Sequence, residues 1–84
     1  MTVRVMAGEG WTVAAQNTAP GVLVLGVEVA DTVRPDEVAR DIVGQMGPAS
    51  DEILMYFYRR GARGAGPFER IQWLQSSGYS RLDF

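Results

Sequence analysis

Apolar positions along this chain fall into short runs of two different periods, and the periods give the elements. Thr2–Met6 and Trp11–Gln16 are β-prone, and Gly8, Glu9 and Gly10 between them suit the positive φ of a tight hairpin. Asn17–Gly21, with its Pro-Gly pair, reads as a turn, and Val22–Ala30 follows as a nearly continuous β-branched run. From Pro35 the period changes. Val38, Ala39, Ile42, Val43 and Met46 recur at helical spacing, opposite Asp36, Glu37, Arg40, Asp41 and Gln45. Proline suits the first helical position, the acids behind it complement the N-terminal dipole, and Thr32 or those acids can cap it. Gly47 and Pro48 suit the helix end. The spacing therefore predicts a helix over about 35–46.

Beyond the helix, Asp51–Arg60 is too short for a second long helix and rich in aromatics, so it is predicted to be a central strand. Gly61–Pro67 reads as a glycine-rich loop, Phe68–Gln75 as a strand around Trp73, Ser76–Gly78 as a turn and Tyr79–Phe84 as a final edge strand. The order ββ-β-α-β-β, with a further β at the end, predicts an α+β domain spanning 1–84. Its expected architecture is a single antiparallel sheet of about five strands with one α-helix packed on one face.

Side chains alternate across a strand, which gives this layout its consequence. Ile53, Met55 and Phe57 point one way, and Leu54, Tyr56 and Tyr58 the other, so both faces of that strand are apolar. The run from Val22 behaves similarly, with Leu23, Leu25, Val27 and Val29 on one side and Val22, Val24, Gly26 and Glu28 on the other. One helix covers one face. The other face either packs on a partner, most simply a second copy about a two-fold axis, or is closed over by the N-terminal hairpin with Trp11 and Trp73 in a small barrel core. The expected interface residues are Tyr56, Tyr58, Trp73, Leu54, Val22 and Val24.

Composition narrows the chemistry. With 46% hydrophobic and 21% charged residues, an 84-residue chain has the apolar content for one modest core. It has no cysteine and no histidine, which removes disulfides, thiolate and imidazole metal ligands and the commonest general base. All eight basic residues are arginine, so no lysine amine is available for catalysis either. No catalytic residue, metal site or cofactor is expected, and the chain reads as a non-enzyme. A net charge of -2 argues against nucleic acid and anionic membranes as partners. Nothing before Val22 resembles a secretory signal and the apolar runs are too short to span a bilayer, which makes a cytoplasmic location the expectation.

Two features carry candidate chemistry. The aromatic face suits a non-catalytic module that binds another protein or a second copy of itself. Arg59, Arg60 and Arg63, set among Gly61, Gly64 and Gly66, suggest the alternative of a small-molecule or anion binder, because glycine allows close approach and arginine forks match phosphate or carboxylate. The loop lacks the lysine and hydroxyl of a phosphate-binding P-loop, and no helix is expected to follow it. The aromatics beside it do not form the basic signature of a single-strand RNA platform.

Overall fold

Pro35 fixes where the chain turns from sheet to helix, and most of the fold follows from that point. The computed structural model describes residues 7–83. Arg34, immediately before the proline, is extended at φ -89 and ψ 124 and serves as the N-cap, with no side-chain cap hydrogen bond. A residue preceding proline is pushed out of the helical region, so the cap falls there and not on Thr32 or the acids. Helix α1 runs Pro35–Met46 and buries Val38, Ala39 and Ile42. Gly47 does not take the left-handed conformation that commonly ends a helix. It opens a single 3-10 turn, Gly47–Ala49, and is buried.

Among the described residues six strands form one sheet whose spatial order equals their order in the sequence. They are β1 (Ala7–Gly8), β2 (Trp11–Ala19), β3 (Val22–Val29), β4 (Glu52–Arg59), β5 (Glu69–Leu74) and β6 (Gly78–Asp83). All neighbouring pairs are antiparallel except β3 and β4, which run parallel from Val22 opposite Glu52 to Val29 opposite Arg59. The sheet is thus mixed, and the expectation of a purely antiparallel sheet of about five strands is corrected. The reason lies in α1. A chain that leaves β3 at one end, crosses the sheet as a helix and re-enters at the other end lays its next strand parallel to the last.

The expected first strand, Thr2–Met6, lies outside the described residues. Gly10 supplies the positive φ of the β1–β2 turn, at 80°. The next turn is confined to Pro20 and Gly21, so β2 extends through the segment expected to be part of it. At its far side Asp51 N–H and Glu52 N–H both donate to the Gly21 carbonyl, at 2.8 and 3.0 Å. That pair of bonds sets the β3–β4 register.

The core lies between α1 and one face of the sheet. Leu25, Val27, Val29, Ile42, Ile53, Met55 and Phe57 are fully buried there, joined by Trp11, Val13, Leu23 and Ile71. Trp11 and Trp73 both belong to this side: Trp11 is 4% exposed, and Trp73 packs against the cluster from its rim. Strands β1 and β2 continue the sheet sideways and do not fold across its second face, so the barrel alternative is not what the described residues form. Among them no helix is long and apolar enough to cross a membrane.

Candidate interaction face

The second face of the sheet is assembled from the registers of five strands. With Ile53, Met55 and Phe57 turned to the helix, Leu54, Tyr56 and Tyr58 point away from it. Val22 and Val24 stand beside them on β3, across from Glu52 and Leu54. On the other flank Arg70 lies opposite Tyr56, Gln72 opposite Leu54 and Leu74 opposite Glu52. Leu82 and Ser80 of β6 then extend the rows of Arg70 and Gln72. Val22, Val24, Leu54, Tyr56, Tyr58, Arg70, Gln72 and Leu74 are all half-buried by their own neighbours, while Leu82 is 46% exposed. Among the described residues no element packs on this face.

Five of the six expected interface residues, Tyr56, Tyr58, Leu54, Val22 and Val24, therefore share one surface. Trp73 does not. It lies opposite Ile53 on the helix-covered side, and its ring sits so close to Gly47 that a methyl group there would approach its Cη2 to 3.3 Å. Val43 and the indole together leave little room for a side chain at the glycine that ends the helix.

A bulge shapes the face at its β2 side. The register passes from Val13 opposite Val27 to Ala15 opposite Gly26, leaving Ala14 as the extra residue. Before it Trp11 and Val13 turn to the core, and after it Ala15, Asn17 and Ala19 turn to the open side. Gly26 then lies between Ala15 and Tyr56 with no side chain of its own, and a methyl group there would meet Ala15 Cβ at 3.3 Å and Tyr58 Cε1 at 3.5 Å. A shallow hollow of about 190 Å3 results, lined on the open side by Ala15, Asn17, Val24, Tyr56 and Tyr58.

Charge on this face is mostly matched within the chain. The Gln72 amide donates to Glu52 Oε2 at 2.6 Å. Glu28 lies 4.0 Å from Arg63 Nε, and the Arg63 guanidinium sits 5.6 Å from the Tyr58 ring centroid. Arg70 is the exception: its Nε is buried and has no hydrogen-bond partner, and no carboxylate lies within ion-pair distance of it among the described residues.

The arginine-glycine loop is already engaged. Arg59 stacks on Phe68 with its guanidinium carbon 3.9 Å from the ring centroid and lies 3.7 Å from Asp31. Arg63 is held by Glu28 and Tyr58 as described, while Arg60 is exposed and unpaired among the described residues. The N–H groups of Ala62, Ala65 and Gly66 donate to Arg59, Ala62 and Arg63 carbonyls at 3.0 Å each, within the loop itself. An anion nest needs such groups directed outward. Here they close a compact 3-10 turn, Arg63–Ala65.

On the helix side one buried charge stands out. Glu69 is 4% exposed, with Arg81 Nε 3.2 Å from its Oε2. Burial holds its carboxyl above the ordinary value of 4.5; Arg81 opposes that shift, and the nearby Asp83 and Asp36 add to it. Among the described residues no group of three or more acidic side chains is placed to hold a metal ion. Compared with protein-family models, curated proteins and solved structures, the chain matches none.

The register adds Arg70, Gln72, Leu74 and Leu82 to the face that sequence reasoning drew around β3 and β4. Their signal was the alternation Arg70, Gln72, Leu74 against Ile71 and Trp73, which assigns them a common side once the β4–β5 pairing is known.

Proposed function

We propose that the chain is a non-catalytic protein-interaction module that works through the open face of its sheet. The observation that carries this reading is the cluster of Val22, Val24, Leu54, Tyr56 and Tyr58 on β3 and β4, opposite a face that α1 already fills. Apolar side chains gathered on a sheet face that no element of the same chain covers mark interaction sites in soluble proteins, and tyrosine is the residue type that interfaces favour, with an apolar body and a polar tip. The molecule measures 30 × 29 × 21 Å. Its broad face is of the order of the ~800 Å2 that each partner contributes to a standard interface.

Site-specific photo-crosslinking tests the reading. p-Benzoylphenylalanine in place of Leu54 is expected to give a discrete protein adduct that Tyr56→Asp removes, whereas the same probe in place of Asp41, on the exposed side of α1, gives none. Equal yields from both positions, or none from either, would overturn the proposal.

A further inference from the structure

The row of side chains running across the centre of the open face is asymmetric in size. From β2 to β6 it reads Ala15, Gly26, Tyr56, Arg70, Leu82. Two small residues stand on one side of Tyr56 and two large ones on the other. Each pair sits at matching distances from β4, since neighbouring strands are ~4.8 Å apart. A row of this kind complements itself. Turned about a two-fold axis lying along β4, a second copy presents its small half to the large half of the first.

We infer that the partner of the open face is a second copy of this chain, packed face to face about a two-fold axis along β4. Tyr56 meets Tyr56, Arg70 enters the hollow above Gly26, and Leu82 covers Ala15. The inference rests on the interaction face proposed above and names its occupant.

Three features with no explanation inside one protomer find one here. The hollow at Gly26 becomes the seat of a side chain. Arg70, which has no carboxylate within ion-pair distance among the described residues of its own chain, comes beside Asn17 and, two residues further along β3, Glu28 of the other copy. Leu82, one of the two large apolar residues most exposed among those described, is covered. In the next row Leu54 meets Leu54, while Gln72, whose amide stays on Glu52 of its own chain, lies over Val24. The row after it sets Leu74 against Val22 and brings Glu52 to its own copy at the end of the strand, a like-charge contact that the other rows must outweigh.

Positions 15 and 82 provide the test, because within one chain three strands separate them, a span of about 19 Å over which side chains do not couple. Ala15 and Leu82 are both exposed, so substitutions there leave the fold intact, and circular dichroism checks this for each variant. Sedimentation equilibrium is expected to show a dimer whose dissociation constant rises about tenfold in Ala15→Leu and in Leu82→Ala. The double variant A15L/L82A is expected to return to within about threefold of wild type, because each enlarged position then faces a reduced one. Arg70→Ala is expected to weaken the dimer by a similar factor.

A wild-type chain that stays monomeric at high micromolar concentration overturns the second copy as partner, while the cross-link from position 54 reports separately on whether the face binds anything. A dimer that Tyr56→Asp dissociates but in which positions 15 and 82 act additively keeps the face and overturns the axis along β4.

Discussion

Glu69 is a buried carboxyl on the helix side of the sheet, and its protonation has a direction that can be worked out. Burial raises its carboxyl above 4.5, so the folded chain holds this proton to higher pH than the unfolded chain does. The associated stability is fully present below the unfolded carboxylate value and is lost as pH rises through the folded one. Glu69→Gln, which keeps the shape without the charge, is therefore expected to melt above wild type at pH 8 and close to it at pH 4. Thermal unfolding at the two values measures the difference. An equal shift at both would assign the effect to packing and not to charge. Arg81 is the residue to follow alongside, since its ion pair at 3.2 Å works against the effect of burial.

Glycines separate along the same line, by what surrounds them. Gly44 lies exposed in the interior of α1, with nothing within 4 Å of where an added methyl group would stand. Gly44→Ala is accordingly expected to stabilise the domain by about 1 kcal/mol, read from the urea midpoint. Gly21 is the opposite case. At φ 75° beside the Asp51 carboxylate it stands where a side chain has neither the backbone freedom nor the space, and Gly21→Ala is expected to cost about 1 kcal/mol or more by the same measurement.

At the scale of elements, α1 was legible because three independent signals coincide: proline at its first position, acids behind it and an apolar stripe at helical spacing. Strands β2 to β6 were legible in place, but the full count of six and the direction of β3 against β4 were not. Whether β3 and β4 run parallel depends on the path between them, and a helix on one face of a sheet is compatible with either arrangement when only composition is read. The physical clue was the length of 30–51, enough for a full crossover, joined to two nearly unbroken apolar runs of the kind found in parallel pairs. Trp73 escaped for a related reason. Large aromatics serve cores and interfaces alike, and its side follows from its pairing with Ile53, which no local pattern encodes. The bulge at Ala14 is invisible to a period-two reading, yet it decides that Ala15 and Asn17 face outward. Gln16, which the alternation alone would place with the open face, is carried across by it. The open face was thus readable along β3 and β4, whose alternation is unbroken, and only partly so along β2, β5 and β6, whose contribution depends on register.

Considered whole, the molecule is two layers deep, and its two faces have opposite properties. One is filled by Val38, Ala39 and Ile42 of α1, and the other carries Tyr56 at its centre. Tyr56→Asp is expected to abolish association without lowering the helical circular dichroism, because the half-buried ring contributes to the outer surface and not to the contact with α1. Loss of both signals together would place the ring in the folding core instead. By contrast, Phe57→Ala, one residue on and fully buried, is expected to cost about 3–5 kcal/mol and to remove most of the stability of a chain this short, as a denaturant titration would show. Neighbouring aromatics on one strand would then report on assembly and on folding separately.

The coincidence of strand order with chain order has a kinetic corollary. Hairpins close over a few residues and form within microseconds, so β2–β3 and β4–β5–β6 can each zip up early as independent units. Uniting them requires the long loop through α1 to close, at an entropic cost that no local contact offsets until β4 has docked. Collapse of two preformed halves onto one helix would make that docking the slow event. A substitution that strengthens α1 in isolation, such as Gly44→Ala, would then quicken refolding more than it retards unfolding.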